Sequence, residues 1–147
     1  MEIAILALGC FWGPEIKFSK LDGIIKTEVG YCGGNNIQTN YKEVCTGNTN
    51  HAEVVKLDFD PKIISYEKIL DFFFEIHDST TLNSQGPDFG TQYRSEIFYL
   101  NNKQKGIAES VIEKMNSNLS GKVVTKSSLL KNYCPAEEYH QRYLEKR

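Results

Sequence analysis

The sequence predicts an α+β protein, a two-layer α/β sandwich with a ferredoxin-like split βαβ core and a mixed sheet that carries helices on one face. The first observation is an apolar run over residues 3–8, followed at Pro14 by a residue typical of a helix start. The second is the alternation of apolar and polar residues within 52–59. The third is the order of elements: strand, helix, strand, then strand, helix, strand, with a further helix and strand.

Turn signals and side-chain spacing set the bounds of the elements. Ser65 is a suitable N-cap for a helix with apolar residues at helical spacing, and Gly121 follows the last apolar residue of another helix. Residues 78–92 lack apolar periodicity and predict a long loop, which in a compact domain is often functional. In chain order, we expect strands at residues 3–8, 24–31, 52–59, 93–100 and 122–126, and helices at residues 14–20, 41–45, 65–77, 102–119 and 135–146.

Length and composition limit the class of protein. The 147 residues suffice for one domain with a proper core, which we place at residues 1–147. The 17 Lys and Arg against 19 Asp and Glu provide no basic field for nucleic acid or for an anionic membrane surface. No apolar run is long enough to span a bilayer, and we find no export signal. We therefore expect a cytoplasmic monomer with reduced thiols.

The sequence contains four cysteines, Cys10, Cys32, Cys45 and Cys134. They form no C-x-x-C pair, and with three scattered histidines they give no zinc-ligand spacing, so we expect no bound metal. Cys10 differs from the others because it lies between two glycines in a predicted strand-to-helix turn. Free backbone N–H groups at a helix N-terminus favour thiolate over thiol. The adjacent Phe11 and Trp12 line either a pocket or the core.

Glu53 is the second residue that indicates chemistry. It shares a strand face with Val55 and other apolar residues, so it is expected to point toward the core, where burial raises a carboxyl pKa and makes the group a proton donor. The alternative is that the strand has not yet entered the core at this position. The polar run 88–95 and the phenols of Tyr41 and Tyr93 are compatible with a pocket, but also with a loop held together by its own side chains.

Eight short segments resemble, in the same order, motifs of the peptide methionine sulfoxide reductase A family. The first segment looks like the signature of that family, and together with the segments around Glu53 and Tyr93 it is highly specific. Asn50 departs from the family pattern, which usually has glycine at this position. The departure does not change the position of Glu53 in its motif. The segments are residues 9–13, 29–31, 44–47, 51–55, 77–78, 80–83, 90–95 and 135–141.

The resemblance implies a thiol-dependent reductase of the S epimer of methionine sulfoxide, free or in proteins, with no bound metal or organic cofactor. It implies that Cys10 is the nucleophile, which becomes a sulfenic acid as methionine is released, and that Glu53 protonates the sulfoxide oxygen. For substrate binding it implies Phe11 and Trp12 as walls around the methyl group, Tyr41 and Tyr93 as phenols that hydrogen-bond the oxygen, and Asp88 as a polar residue of the same pocket.

A sulfenic acid on Cys10 must be removed before a second turnover, by an external thiol or by a neighbouring one. Many family members carry a Gly-rich segment with resolving cysteines that has no counterpart in this sequence. We therefore expect an external reductant of the thioredoxin or glutathione/glutaredoxin type. Cys134, and then Cys32, are the internal candidates for a resolving thiol, whereas we expect Cys45 to be buried and inert.

Two other functions compete with the reductase. A thiol-based peroxide sensor would form the same sulfenic acid on Cys10 without turnover. A cysteine hydrolase would pair Cys10 with His51 or His140, and it requires a histidine within hydrogen-bond reach of the thiol and a partner that orients it. We expect His140 to be a solvated residue of a surface helix, while the sequence leaves His51 open.

Overall fold

The structure, a computed structural model, describes residues 1–146 and contains a six-stranded sheet and a separate two-stranded one. The strands of the main sheet are β1 Glu2–Leu8, β2 Ile24–Cys32, β3 Ala52–Phe59, β6 Ser95–Tyr99, β7 Lys126–Leu129 and β8 Cys134–Pro135; the small sheet consists of β4 Ser84–Gln85 and β5 Asp88–Phe89. The main sheet has the order β7-β6-β1-β3-β2-β8. All neighbours in it are antiparallel except β6 and β7, which are parallel, so the predicted mixed sheet is confirmed.

Side-chain caps start three of the helices. The helices are α1 Trp12–Ser19, α2 Tyr41–Cys45, α3 Tyr66–Glu75, α4 Asn102–Asn118 and α5 Tyr143–Lys146. The Ser65 hydroxyl accepts a hydrogen bond from the backbone N–H of Lys68 at 3.1 Å, as the sequence predicts. Asn40 and Asn101 cap α2 and α4 in the same way. Pro14 lies two residues inside α1 rather than at its first position, where proline is still tolerated.

The alternation of β3 divides the core into two clusters. Val55, Leu57 and Phe59 belong to the larger cluster, to which α1, α3 and α4 contribute. Ala52 and Val54 belong to a smaller cluster on the opposite face, and within residues 1–146 that cluster contains no helical residue. The helices therefore cover one face of the sheet, and the α+β class is confirmed.

Three predicted elements differ from the structure. The helix expected at residues 135–146 is instead a short strand, a single 3₁₀ turn at Glu138–His140 and the brief α5. The last long strand begins at Ser95 because Tyr93 lies in a 3₁₀ turn, and β7 begins at Lys126, where the sequence predicted a strand at residues 122–126. None of the helices within residues 1–146 is long and apolar enough to cross a membrane.

The C-terminal segment is held to the edge of the sheet by side chains. Gln141 accepts a hydrogen bond from the backbone N–H of Val29 at 2.9 Å and donates one to the backbone oxygen of the same residue, also at 2.9 Å. Glu137 accepts from the hydroxyl of Tyr31 at 2.8 Å and from the backbone N–H of Tyr41 at 3.0 Å. These bonds place the segment beside β2 and the N-terminus of α2.

Candidate active site

The turn between β1 and α1 presents Cys10 at the end of the sheet. Gly9 has a φ of 97°, a left-handed conformation that favours glycine. A Cβ atom at Gly9 would lie 2.8 Å from the Cβ and Cγ atoms of Gln85, so the turn also requires a residue without a side chain. Gln85 accepts a hydrogen bond from the backbone N–H of Asp78 at 3.1 Å. The predicted loop therefore packs against the backbone that carries the thiol.

The Cys10 thiol is half-buried, and its pKa is raised from 9.0 to about 11. Burial is the largest cause; a hydrogen bond with the backbone of Trp12 lowers the pKa, and the negative charges of Glu53 and Asp88 raise it. The expectation that the helix N-terminus favours the thiolate is wrong for the resting protein, because burial, the largest cause, outweighs the backbone donor. Cys10 therefore carries its proton at neutral pH.

Glu53 is buried, with 1% of its surface exposed, as the strand pattern predicts. Burial raises its pKa from 4.5 to about 8; the hydrogen bond from the Phe11 backbone acts in the opposite direction, and the charge of Asp88 adds to the increase. That hydrogen bond joins the Phe11 N–H to Glu53 Oε1 at 3.3 Å, directly beside Cys10. Within residues 1–146, Glu53 Oε2 is buried and has no hydrogen-bond partner. Glu53 is therefore a protonated acid at neutral pH, and one of its oxygens forms no hydrogen bond within the described residues.

Phe11 and Trp12 form an aromatic surface next to the thiol. Phe11 is 1% exposed, and its ring centroid lies 5.7 Å from that of Tyr31. Trp12 is half-buried and stacks on Tyr143, with ring centroids 3.9 Å apart and planes 15° apart. The sequence left open whether these two residues line a pocket or the core. Phe11 is a core residue at the base of the site, whereas Trp12 remains partly accessible.

Two phenols and a further carboxylate complete the group of polar residues around Glu53. Burial raises the pKa of Tyr93 to about 12, with a second contribution from the charge of Glu53 and an opposing one from Tyr41. The pKa of Tyr41 is also raised by burial, and its causes include interactions with Cys45 and Tyr93. Both phenols are therefore neutral hydrogen-bond donors. The structure thus brings seven of the predicted site residues together: Cys10, Phe11, Trp12, Tyr41, Glu53, Asp88 and Tyr93.

Two candidates lie apart from this group, in the half of the molecule behind the sheet. Cys32 is fully buried in the smaller core cluster, and burial raises the pKa of its thiol. His51 is buried as well; its Nδ1 accepts from the Gly34 N–H at 3.2 Å and its Nε2 donates to the Asn36 carbonyl at 2.8 Å. Both ring nitrogens of His51 therefore join the loop that follows β2 to the loop before β3. Asn50, in the same loop, has a φ of 60°, a left-handed conformation that glycine adopts freely and that asparagine tolerates better than most other residues.

The remaining two cysteines differ from each other in exposure and position. Cys134 lies in β8 at the sheet edge, with its Sγ 3.6 Å from the Thr39 carbonyl oxygen. Cys45 is exposed at the end of α2, so the expectation that it is buried is wrong. Its charge raises the pKa of Cys10, and the Tyr41 phenol lowers the pKa of Cys45 against the larger effect of burial. A five-residue helix has too little periodicity to indicate from sequence which way a residue at its end points.

His140 is the residue that the sequence interpretation misplaced most clearly. It is 2% exposed rather than solvated, and its Nδ1 lies 3.1 Å from the indole nitrogen of Trp12. The expected surface helix does not form, and the side chain turns inward from the 3₁₀ turn. Within residues 1–146, neither His140 nor His51 is a hydrogen-bond partner of Cys10, so the arrangement that a cysteine hydrolase requires is not present there. The family motif at residues 135–141 was the available signal.

A protonated thiol, a protonated carboxyl group and an aromatic wall define a thiol enzyme that works on a small polar group with an apolar arm. No cluster of three or more potential metal ligands occurs within residues 1–146. The model of the family described as peptide methionine sulfoxide reductase matches residues 2–147. The chain belongs to this family.

Relatives and solved structures resemble the chain over nearly its whole length. It is 85% identical, over 100% of both sequences, to the peptide methionine sulfoxide reductase MsrA of Pelagibacter ubique (strain HTCC1062). The crystal structure of reduced Mxr1 from Saccharomyces cerevisiae superposes with a TM-score of 0.93 at 42% identity, over 99% of this chain and 85% of that one. Mxr1 in complex with Trx2 superposes with a TM-score of 0.68 at 28% identity, over 97% and 84%.

Proposed function

We propose that the protein reduces the S epimer of methionine sulfoxide, free or within proteins, to methionine, and that Cys10 becomes a sulfenic acid in the process. Membership of the family supports this function. The observation that carries it is the buried acid of Glu53, which is hydrogen-bonded to the backbone beside the thiol and keeps one oxygen without a partner.

The proposed chemistry uses the two protons that the resting site holds. Cys10 Sγ attacks the sulfoxide sulfur while Glu53 donates its proton to the sulfoxide oxygen, and the proton released by the thiol restores Glu53. The oxygen then passes to Cys10 Sγ as the thioether leaves. The sulfoxide is reduced by two electrons, the thiol is oxidised by two electrons to a sulfenic acid, and no metal or organic cofactor takes part.

We assign the other residues of the site to substrate binding. Trp12, over the base formed by Phe11, contacts the methyl group of the substrate, because a partly exposed indole beside the thiol offers the apolar surface that this group requires. The neutral phenols of Tyr41 and Tyr93 donate hydrogen bonds to the sulfoxide oxygen. The carboxyl group of Asp88 raises the pKa of Glu53 and so favours the acid form that donates the proton.

The function is tested by anaerobic incubation of the protein with each epimer of methionine sulfoxide. We expect about one methionine per protein from the S epimer without reductant, many with a dithiol reductant, and none from the R epimer; the Cys10→Ser variant is the control. Peroxide oxidation of Cys10 with no methionine release from either epimer would instead support the peroxide sensor.

We further propose that an external thiol of the thioredoxin or glutathione/glutaredoxin type regenerates Cys10. The complex of Mxr1 with Trx2 supports a thioredoxin-type partner. Burial of Cys32 behind the sheet argues against its use, whereas Cys134 and the exposed Cys45 remain internal alternatives.

A count of free thiols after one equivalent of sulfoxide distinguishes these routes. External recycling predicts that one of the four thiols is lost. Loss of two thiols from the wild type, but of only one after Cys134, Cys45 or Cys32 is replaced with serine, would identify an internal resolving cysteine and contradict the proposal.

The remaining features follow from the sequence and are proposed on that basis. We propose a single domain over residues 1–147 that acts as a cytoplasmic monomer, where reduced thiols are maintained. We also propose that its core is of the ferredoxin-like split βαβ type. The central strand order β6-β1-β3-β2 with antiparallel neighbours supports this description.

A further inference from the structure

The indole of Trp12 is held by two residues of the C-terminal segment. Its edge donates a hydrogen bond from Nε1 to Nδ1 of His140 at 3.1 Å, and its face stacks on Tyr143 with ring centroids 3.9 Å apart. The paired hydrogen bonds of Gln141 with Val29 fix the segment to β2. The orientation of Trp12 is therefore set by residues more than a hundred positions away in the sequence.

The hydrogen bond defines the protonation state of His140. An indole N–H only donates, so Nδ1 must accept, and the ring is neutral with its proton on Nε2. His140 is 2% exposed, and within residues 1–146 its Nε2 is buried without a hydrogen-bond partner. The ring is enclosed by Tyr139, Tyr41 and Phe11, whose centroids lie at 4.2, 4.6 and 5.3 Å.

This environment favours an apolar ring over an imidazole. A phenylalanine would fill the space between the three aromatic rings and would have no N–H of its own to bury without a partner. The one interaction that only the imidazole supplies is the acceptor at Nδ1. Histidine at this position is therefore explained by its bond to Trp12 rather than by packing.

We propose that His140 is a positioning residue that orients the Trp12 indole as the wall of the methyl pocket, and thereby sets affinity for the sulfoxide and preference for the S epimer. It acts through Trp12 and does not contact the reacting atoms. This inference rests on the proposed role of Trp12 in substrate binding. This role is separate from that of the catalytic pair, because Cys10 and Glu53 do not orient the indole.

The contact between His140 and Trp12 requires a neutral imidazole. Protonation would place an N–H on Nδ1, opposite the indole N–H, and two donors repel each other. Burial lowers the pKa of His140, and the charge of Glu137 opposes that effect. The other titratable groups that face the ring are Tyr41 and Tyr139, and the pKa of each is raised, so both stay neutral in mild acid.

The first test compares His140→Phe with His140→Asn. Phenylalanine keeps an aromatic ring but removes the acceptor, whereas the asparagine oxygen occupies nearly the position of Nδ1. One hydrogen bond corresponds to about a 3- to 10-fold change. We expect His140→Phe to raise KM for the S epimer and to lower the S-to-R preference by this factor, with a smaller effect on kcat, and His140→Asn to restore part of both. Equal values for both variants and the wild type would overturn the proposal.

A double-mutant cycle separates the contact from general packing. Trp12→Phe removes the indole N–H, so on that background His140→Phe is expected to change neither KM nor epimer preference further. The same change on both backgrounds would assign His140 a packing role only and overturn the proposal. Thermal unfolding of all four proteins shows which are folded, and His140→Asn provides the comparison if His140→Phe does not fold.

The second test does not depend on activity, because Trp12 is the only tryptophan of the chain. Titration of the intrinsic fluorescence should show a transition below pH 6.5 in the wild type that is absent from His140→Phe. The same transition in His140→Phe would overturn the proposal. The protein could also show a transition that depends on His140 and yet reduce neither sulfoxide epimer. That result would mean that the contact between His140 and Trp12 exists but that the proposed function is wrong.

Discussion

Replacement of Glu53 by glutamine should lower activity and raise stability together. The pKa of Glu53 is raised from 4.5 to about 8 because the side chain is almost completely buried. Glutamine has the same shape, can accept the Phe11 hydrogen bond and carries no charge to bury. It cannot supply the proton that the departing oxygen requires. Loss of general acid catalysis of this kind lowers the rate by about 10²–10⁴-fold.

The stability change follows from proton linkage. Between pH 4.5 and about 8 the folded protein retains on Glu53 a proton that the unfolded chain has released. The contribution of this group to the free energy of unfolding therefore falls as pH rises, because the unfolded state binds fewer protons. From pH 5 to pH 7 the change corresponds to about 2–3 kcal/mol. The Glu53→Gln variant should gain that amount relative to the wild type over this range.

Urea unfolding and single-turnover methionine release measure the two effects. The difference in the free energy of unfolding between Glu53→Gln and the wild type is determined at pH 5 and at pH 7. The rate constant is followed across pH, where the wild type should lose activity above about pH 8 and the variant should show no such loss. Glu109→Gln, an exposed position in the middle of α4, is the matched control and should change neither quantity.

Two results would refute this reasoning. A stability difference that is the same at pH 5 and pH 7 would mean that Glu53 is not buried as a protonated acid. A wild-type rate in the variant would mean that water or a tyrosine protonates the oxygen.

Three further substitutions test other parts of the site. Cys10→Ser should abolish methionine release, because an alcohol is a poor nucleophile toward sulfur near neutral pH; release at the wild-type rate in a single turnover would end the hypothesis. Trp12→Ala should reduce discrimination between epimers by about 1–3 kcal/mol, measured as the ratio of their kcat/KM values, and an unchanged ratio in a folded variant would place Trp12 outside the pocket. Gly9→Ala should lower the free energy of unfolding by about 1–3 kcal/mol, because its φ is 97° and Gln85 occupies the space. Gly106→Ala, in α4 with nothing near its added Cβ, is the control and should not destabilise in the same urea unfolding assay.

The elements that were predicted well are those with a clear local signal, either a regular alternation of side chains or a capping residue. The alternation of β3 placed Glu53 in the core, and Ser65 marked the start of α3. The C-terminal segment was mispredicted because its structure depends on tertiary bonds, in which Glu137 and Gln141 satisfy backbone groups of α2 and β2. No local pattern reports such bonds.

The protonation states of the site residues could not be predicted from the sequence either. A helix N-terminus next to Cys10 favours thiolate, but the outcome depends on how deeply the thiol is buried and on which carboxyl groups face it. The burial of the thiol and the carboxyl groups that face it are determined by the packing of α1, β3 and the small β4–β5 sheet. The inward position of His140 depends in the same way on a turn that the sequence suggested would be a helix.

The attachment of the C-terminal segment to β2 has a consequence for synthesis. Because Trp12 is synthesised more than a hundred residues before its supports, His140 and Tyr143, the oxidisable thiol exists before the proposed substrate wall is held in place. A nascent chain can therefore present Cys10 to peroxide or to other thiols without discrimination. Selective chemistry requires that His140 and Tyr143 have docked against Trp12, so the site is complete only after the segment that carries them has been synthesised.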